Sequence, residues 1–337
     1  MGSRKGSAPP IAVTQGTPEG IGAEVLLKAV AHGGLPPLYA IADPTHLADT
    51  AKALGLEVAI KTISSAAEVA AFSGTSVLPV RPSPLACTPI PAQPNIENAA
   101  ATIASIEQAM KDVQAGDASA ICTLPLAKSV LQAAGFSHPG HTEFLGALCG
   151  NAQKPMMMLA VPGLRVVLAT IHQPLASVSV TLSQSRVEDI AQRTLQALTQ
   201  DFGITAPRLA VAAFNPHGGE DGTLGREEIE IIAPACAALR AAGLAVSGPH
   251  PADTLFHAAA RETYDAALCM YHDQALIPLK TIDFARGVNI TLGLPIVRTS
   301  PDHGTAFDIA GKGIADPRSL IEALNTAYAI AGQRRNG

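Results

Sequence analysis

The sequence has no tryptophan, few other aromatic residues and little charge. Of its 337 residues, 4% are aromatic and 15% are charged, whereas 47% are hydrophobic. Low charge with this hydrophobic content excludes an intrinsically disordered chain and indicates a folded protein of about two domains. The formal net charge is −5, and lysine and arginine are scattered. A nucleic-acid-binding function is therefore not expected, because no basic patch would bind phosphate backbones.

Long hydrophobic runs and paired cysteines are also missing. The apolar runs break before the roughly 18 residues that a membrane span needs, and the basic amino terminus lacks the apolar core of a signal peptide. The five cysteines form no C-x-x-C pair. We therefore expect no membrane partner and a cytoplasmic location. The cysteines are expected to be reduced and to pack as small hydrophobic residues.

What the sequence does contain is an alternation of short apolar runs with amphipathic stretches. The predicted strands cover residues 11–14, 38–42, 75–80, 118–123, 156–161, 165–171, 208–214 and 265–270. Strands 156–161 and 165–171 flank a Pro-Gly turn, which predicts an antiparallel hairpin. The predicted helices cover residues 21–31, 96–113, a stretch that begins at a capping box (Ser185 to Glu188) and ends at Gly203, then 226–242 and 317–331. This alternation is typical of α/β proteins with largely parallel sheets, so we expect two α/β domains with an active-site cleft between them.

Three histidines share one local context, because each follows a strand-like run and precedes turn residues. They are His172, His217 and His272. The carboxyl ends of parallel strands meet at one edge of a sheet, where ligands bind. Three neutral imidazoles at such an edge suit Zn²⁺ or a similar divalent ion with one position open for substrate oxygens. Hydrogen-bonded surface histidines are the alternative, since the spacing forms no local zinc motif.

The stretch from residue 270 to residue 311 mixes charged and polar residues with glycine and proline. Lys280, Asn289 and Arg298 recur there at nine-residue intervals. Cations and planar donors of this kind bind anions, although each residue alone is an ordinary surface residue. His141 and Thr142 open a helix-like stretch, where they either hold a phosphate or carboxylate or cap the helix.

Two carboxylates and a glycine-rich loop complete the candidates. Asp253 and Asp273 lie in apolar or proline-rich surroundings, where each can orient a metal-bound histidine or accept a proton. A capping or turn role is the alternative for Asp253. The loop over residues 14–22 is either an anion-binding loop or a tight strand-to-helix turn. It matches neither the P-loop nor the G-x-G-x-x-G pattern.

Seven longer segments stand out in the second half of the chain: GHTEFL (140–145), NPHGGE (215–220), LGREE (224–228), PADT (251–254), YHDQALIPLK (271–280), GVNITLGLP (287–295) and RTSPDHGTAFDIAGKG (298–313). They carry a resemblance, running in order from about residue 11 to 331, to the 4-hydroxythreonine-4-phosphate dehydrogenase (PdxA) family of the vitamin B6 pathway. It implies the fold of isocitrate and isopropylmalate dehydrogenases. The first α/β domain would then comprise residues 9–135 with 304–337. Residues 136–303 would form the second, with the metal site and the dimer interface.

The resemblance also implies roles for single residues. Its metal ligands fall on His172, His217 and His272. Its substrate-binding residues fall on His141, Thr142, Lys280, Asn289 and Arg298. The last segment is similar to an adenosine-binding loop, which implies nucleotide contacts at His303, Gly304, Thr305, Asp308 and Gly311. The family is a homodimer with its active site at the subunit interface, so the three histidines need not converge within one subunit.

The implied reaction is oxidation of 4-phosphooxy-L-threonine by NAD, followed by loss of CO₂ to give 3-amino-2-oxopropyl phosphate. It requires a divalent metal (Zn²⁺, Mg²⁺ or Co²⁺), and the sequence leaves NADP open as the nucleotide. For proton transfer we consider Lys280 or Asp253, with Asp273 beside the histidine ligand as a third catalytic candidate.

Two alternatives stay open at this point. One is a sister dehydrogenase for threonate or erythronate 4-phosphate, or for an aromatic cis-dihydrodiol dicarboxylate of the terephthalate pathway. The other is a non-catalytic protein that binds a metal or a phosphorylated metabolite. The sequence also departs from the family pattern at three positions, with Thr17 in place of an acidic residue, Glu19 in place of a small one and Ala127 in place of asparagine. These departures concern fine substrate contacts.

Overall fold

Short strands alternate with helices along the chain. The computed structural model describes residues 8–138, 141–150 and 154–336, and at residues 141–143 and 336 it describes the backbone alone. The strands are β1 (Ile11–Thr14), β2 (Leu38–Ala42), β3 (Ala59–Thr62), β4 (Val77–Pro82), β5 (Ala120–Thr123), β6 (Met156–Val161), β7 (Leu164–Leu168), β8 (Leu209–Ala212), β9 (Val246–His250), β10 (Ala266–Cys269), β11 (Val288–Leu292) and β12 (Arg298–Pro301).

The α-helices are of very different lengths. They are α1 (Gly22–His32), α2 (Pro44–Ala53), α3 (Ala99–Ala115), α4 (Lys128–Ala133), α5 (His141–Leu148), α6 (Val178–Thr181), α7 (Gln184–Gln200), α8 (Ala233–Ala241), α9 (Ala252–Leu255), α10 (Ala258–Arg261), α11 (His272–Ile282) and α12 (Arg318–Asn336). A single π-helical turn, Glu228–Ile232, leads into α8. The predicted α/β class is confirmed.

The chain divides into two compact units. Unit 1 extends to Pro155 and resumes from Leu294 to Arg335, and unit 2 is Met156–Gly293. The domain boundaries that the family resemblance implies lie elsewhere, at residues 135/136 and 303/304. The difference has a packing cause, because Phe144 and Leu145 of α5 are buried in the hydrophobic core of unit 1. At the other boundary, β12 pairs with β5 of unit 1.

In unit 1 the strands run parallel in the order β3-β4-β2-β1-β5-β12. Every residue of β1, β2 and β5 is buried, as expected for central parallel strands covered on both faces. The core around them includes Tyr39, Ile41, Ile106 and Met110. Packing on both faces therefore fixes these central strands and the residues at their carboxyl ends.

In unit 2 the order is β11-β6-β7-β10-β8-β9. The hairpin predicted at residues 156–171 is confirmed, since β6 and β7 pair antiparallel. From β7 onward, β10, β8 and β9 are parallel to one another. The core of unit 2 includes Val166, Leu168, Ala267 and Leu279, all of them fully or nearly fully buried.

One local prediction was wrong, and one strand was not predicted. The capping box was assigned to Ser185, but Ser183 is the N-cap of α7, where its hydroxyl accepts the Arg186 N–H. The glutamate of the predicted box, Glu188, instead accepts a hydrogen bond from the Gln184 side chain. The strand predicted at residues 75–80 is present as β4, but it is the fourth strand of the chain, because β3 precedes it and was not predicted. β3 is mostly exposed, so no apolar run marks it.

A buried polar network joins β2 to α3. The Asp112 carboxylate accepts hydrogen bonds from the Tyr39 hydroxyl at 2.6 Å, from Arg81 Nη1 at 2.6 Å and from Gln108 Nε2 at 2.8 Å. Burial, and then the hydrogen bond to Asp112, raise the pKa of the Tyr39 phenol, which keeps it a donor.

Replacing Asp112 with alanine is expected to lower the free energy of unfolding by about 3 kcal/mol, because it leaves buried donors unpaired. Urea titration measures the change. Asp117→Asn, at an exposed position just beyond the end of α3, is the control and is expected to change stability by less than about 0.5 kcal/mol. A loss below about 1 kcal/mol for Asp112→Ala would contradict this account of the network.

Two further observations concern membrane-spanning helices and the state of the cysteines. In the described part of the chain no helix is both long and apolar enough to cross a membrane. All five cysteines are free. Burial raises the pKa of Cys122 to about 12, so this thiol stays protonated and unreactive.

Candidate active site

Four parallel strands of unit 2 end at one edge, in the spatial order β7, β10, β8 and β9. A candidate side chain follows each of them. His172 comes after β7, His272 after β10, His217 after β8 and Asp253 after β9. Ligands bind at the carboxyl ends of parallel strands, so this edge is the candidate active site.

His172 and His272 lie side by side, with their ring centroids 5.8 Å apart. They line an open pocket of about 480 Å³ together with Thr170, Tyr271 and Asp273, among others. The Nδ1 atom of His272 lies 2.7 Å from Asp273 Oδ1. A carboxylate on one ring nitrogen leaves the other available as a ligand. Two adjacent imidazoles at a solvent-accessible pocket fit the nitrogen ligands that divalent transition metals prefer.

The pair does not by itself complete a metal site. Across the described ranges, no group of three or more His, Cys, Asp or Glu side chains lies close enough to hold a metal ion. His217 is exposed, on the loop that follows β8. One copy of the chain therefore brings together two of the three predicted ligands.

Gln274 links two of the strand ends. It is buried, its Oε1 accepts the Met270 N–H at 2.7 Å, and its Nε2 donates to the Ala213 carbonyl at 2.6 Å. Met270 precedes the turn into His272, and Ala213 begins the loop to His217. One buried amide thus fixes the spacing of the two segments that carry these histidines.

The His217 loop, residues 213–225, contains five consecutive residues in the left-handed region. The φ angles are 52° at His217, 68° at Gly218, 82° at Gly219, 40° at Glu220 and 52° at Asp221. Glycine adopts this conformation readily, but each of the other residues costs about 1 kcal/mol or more. Such a loop keeps its shape only when other contacts hold it.

The candidates for anion binding in unit 2 lie farther along the chain. Lys280 is in the last turn of α11, about 12 Å along the helix axis from His272. Its Nζ lies 5.2 Å from the ring centroid of Phe284, within the range of a cation–π contact. Asn289 is on β11, and its Nδ2 contacts Met157 Sδ at 3.4 Å.

Arg298, the third of these candidates, belongs to unit 1. It is the first residue of β12 and is buried, and its Nη2 donates to Thr123 Oγ1 at 2.7 Å. Thr123 ends β5 and pairs in register with Thr14, which ends β1. The guanidinium therefore lies at the carboxyl ends of the central strands of unit 1, a position suited to an anion.

The predicted nucleotide loop packs against the glycine-rich loop that follows β1. The Thr305 carbonyl accepts the Ile21 N–H at 3.0 Å, and a Cβ added at Gly20 would lie 2.9 Å from that same oxygen. Only glycine permits this approach. Gly304 and Asp308 are exposed, and His303 Nδ1 lies 3.0 Å from the Gly304 carbonyl. The loop ends at Gly311, whose φ is 77°.

Two of the three departures from the family pattern touch each other. The Thr17 hydroxyl accepts the Ala127 N–H at 2.8 Å. The third, Glu19, is buried, and its Oε1 accepts the Asn98 side-chain N–H at 2.8 Å. Thr17 and Glu19 thus have structural partners inside unit 1.

His141 and Thr142 open α5, but their side chains lie outside the described residues. Their predicted substrate contacts stay predictions. Asp253 is exposed in the first turn of α9, where it is accessible from solvent.

Gln274 and Glu228, the two buried residues that hold the histidine segments, were not among the predicted site residues. Glu228 bonds to the backbone of residues 13 and 14 positions earlier. Side-chain bonds to a distant backbone leave no spacing pattern. The LGREE segment could have drawn attention to Glu228, and the YHDQALIPLK segment to Gln274.

Comparison with known proteins agrees with this fold. The profile of the family described as "Pyridoxal phosphate biosynthetic protein PdxA" matches residues 35–327. A 4-hydroxythreonine-4-phosphate dehydrogenase from Maricaulis maris is 51% identical over 332 residues, which cover 96% of this chain and 97% of that relative. One from Caulobacter vibrioides is 49% identical over 333 residues, with 96% and 98% covered.

Solved structures give the same result. A 4-hydroxythreonine-4-phosphate dehydrogenase from Klebsiella pneumoniae aligns with a TM-score of 0.86 and 38% identity, over 96% of this chain and 99% of that one. A terephthalate 1,2-cis-dihydrodiol dehydrogenase from Burkholderia xenovorans aligns with a TM-score of 0.63 and 30% identity, over 95% and 97%. The protein is therefore an α/β oxidoreductase. It belongs to the PdxA family of pyridoxal phosphate biosynthetic proteins.

Proposed function

We propose that this enzyme oxidises the secondary alcohol of 4-phosphooxy-L-threonine and releases CO₂ from the resulting β-keto acid, giving 3-amino-2-oxopropyl phosphate in pyridoxal 5′-phosphate biosynthesis. A hydride passes to NAD, and a proton leaves the alcohol. The observation that carries the proposal is the pair His172 and His272 in one pocket, at the edge where Asp253 also follows a strand. Sequence identity near 50% to enzymes named 4-hydroxythreonine-4-phosphate dehydrogenase supports this choice of substrate.

In this proposal His172, His217 and His272 hold a divalent cation, with Zn²⁺, Mg²⁺ and Co²⁺ as the candidates. When bound, that ion supplies Lewis-acid polarisation of the substrate oxygen at the reacting carbon. The Asp273 carboxylate accepts a hydrogen bond from the Nδ1–H group of His272 and fixes the orientation of the ring. His217 is contributed by a second copy of the chain, since one copy brings together His172 and His272 alone.

Several exposed apolar side chains of unit 2 support a homodimer. Leu175 lines the pocket and is 64% exposed, and Val180 in α6 is 84% exposed. Ile277 on α11 and Phe284 just beyond it are 65% and 77% exposed. Side chains of this kind on one unit are usual at interfaces between copies of a chain.

The remaining candidate residues bind the substrate and move protons. The phosphate and carboxylate of the substrate are bound by Lys280, Asn289, Arg298, His141 and Thr142. The energy of binding these remote groups serves to orient the reacting carbon. Lys280 or Asp253 takes the alcohol proton and returns one to carbon after CO₂ leaves.

The loop from His303 to Gly311, with Gly304, Thr305 and Asp308, binds NAD, and NADP is to be tested beside it. We place the enzyme in the cytoplasm because its five cysteines are free.

The second candidate function is that of a sister dehydrogenase, which the terephthalate cis-dihydrodiol enzyme brings into consideration. The deciding experiment follows NADH formation with 4-phosphooxy-L-threonine, threonate and erythronate 4-phosphates, and the terephthalate cis-dihydrodiol, each with all three metals. We expect kcat/KM to be at least about 100-fold higher for 4-phosphooxy-L-threonine. No NADH from that substrate, with turnover of another, would refute the first proposal.

A further inference from the structure

We infer that Glu228 is a positioning residue, which holds the His217 loop in its strained shape and so sets the affinity of the metal site. The inference rests on the proposed role of His217 as a metal ligand. Glu228 is in the π-helical turn before α8, and its side chain is buried. It lies eleven residues after His217 and is no ligand candidate itself.

The carboxylate of Glu228 binds the start of the loop with both oxygens. Its Oε1 accepts the backbone N–H groups of Phe214 and Asn215, each at 2.7 Å. Its Oε2 accepts from Asn215 Nδ2 at 2.9 Å. Hydrogen bonds to a carboxylate are stronger than neutral ones, and burial excludes competing water. The backbone just before His217 is thereby fixed.

The glycines of the loop leave room for this carboxylate. A Cβ added at Gly219 would lie 2.7 Å from Glu228 Oε2, and one added at Gly225 would lie 2.3 Å from Asn215 Nδ2. Both glycines also have positive φ angles, 82° and 136°. The five residues of left-handed conformation, 217–221, and the Glu228 carboxylate therefore depend on each other, because the loop closes around that carboxylate.

Glu228→Gln keeps the size of the side chain but turns one oxygen into an N–H donor. In one orientation, the new amide N–H group faces the side-chain N–H group of Asn215. In the other, it faces the backbone N–H groups of Phe214 and Asn215. In both orientations at least one hydrogen bond is lost, and the loop gains freedom at His217. Loss of a residue that orients a metal ligand typically weakens metal affinity by about 10- to 100-fold.

The experiment titrates metal-free, full-length protein with Zn²⁺ and with Co²⁺ by calorimetry and records melting curves. The variants are Glu228→Gln, His217→Ala and the double variant. The control is Glu230→Gln, an exposed residue of the same turn that pairs with Arg226. We expect wild-type affinity for the control, a drop of about 10- to 100-fold for Glu228→Gln and a larger loss for His217→Ala.

The double variant shows whether Glu228 acts through His217. We expect it to bind metal no more weakly than His217→Ala alone, because coupled residues are not additive. Should Glu228→Gln fold poorly, Asn215→Ala removes the side-chain hydrogen bonds of Asn215 to Glu228 Oε2 and to Glu227 Oε2. It keeps both backbone hydrogen bonds to Glu228 Oε1, and we expect a loss of several-fold.

The outcomes separate the two claims. If His217→Ala loses metal but Glu228→Gln or Asn215→Ala binds like wild type, the inference is overturned and the proposed ligand set stands. If His217→Ala binds metal like wild type, both are overturned. A lowered melting temperature in Glu228→Gln with unchanged affinity would make Glu228 a purely structural residue and would also contradict the inference.

Discussion

Replacing His272 with alanine is expected to abolish metal binding at the active site and to lower kcat by about 1,000-fold or more. Polarisation by a divalent ion is worth several kcal/mol of transition-state stabilisation. His272 begins α11 and has its ring beside His172, with Asp273 on one nitrogen. The substitution removes a ligand and leaves its orienting carboxylate without a partner. NADH formation and calorimetric titration with Zn²⁺ measure the two effects.

His257→Ala is the matched control for this prediction. His257 is an exposed histidine of unit 2 that caps α10 through its Nδ1 atom. Its loss is expected to leave kcat and metal affinity within about 2-fold of wild type and to cost about 1 kcal/mol of stability at most. A His272→Ala protein with more than a tenth of wild-type turnover would show that His272 is no ligand.

The second large effect is expected at Lys280. Lys280→Met keeps the length of the side chain and removes the ammonium, and we expect kcat to fall by about 100- to 10,000-fold, the range for loss of a positioned acid or base. Metal affinity should stay at the wild-type value, since Lys280 lies about 12 Å along α11 from His272. Steady-state kinetics and calorimetry separate these outcomes.

Two further variants define what the Lys280 result means. Lys111→Met, on the exposed face of α3, controls for the loss of a surface charge and is expected to have wild-type kinetics. Asp253→Asn tests the other proton-transfer candidate. A rise in KM with unchanged kcat in Lys280→Met would indicate phosphate binding instead. If Lys280→Met and Asp253→Asn both kept wild-type turnover with metal bound, the proton-transfer assignment would be wrong.

Local patterns predict the α/β class and the place of the histidines. Buried parallel strands such as β1, β5 and β10 are short apolar runs, and the polar residues after them stand out in the sequence. This is why His172, His217 and His272 could be assigned to strand ends before the sheet order was known. The order β7-β10-β8 then brings those ends to one edge.

Other features depend on contacts that no local pattern encodes. β3 is an exposed strand without an apolar run, and β12 consists of Arg-Thr-Ser-Pro, buried because it pairs with β5. α5 joins unit 1 through Phe144 and Leu145. Glu228 and Gln274 act on the backbone of distant segments. Tertiary packing decides each of these cases, so propensity and spacing could not reveal them.

In the proposed dimer, His217 and His272 of one metal site come from different copies of the chain. The most direct test mixes the inactive His217→Ala and His272→Ala proteins under conditions that exchange subunits. A hybrid dimer then has one site with all three histidines intact. Random exchange predicts about 25% of wild-type NADH formation in the mixture, since half of the dimers are hybrids with one working site. A mixture that stays as inactive as its two components, although mass spectrometry shows hybrid dimers, would contradict the claim.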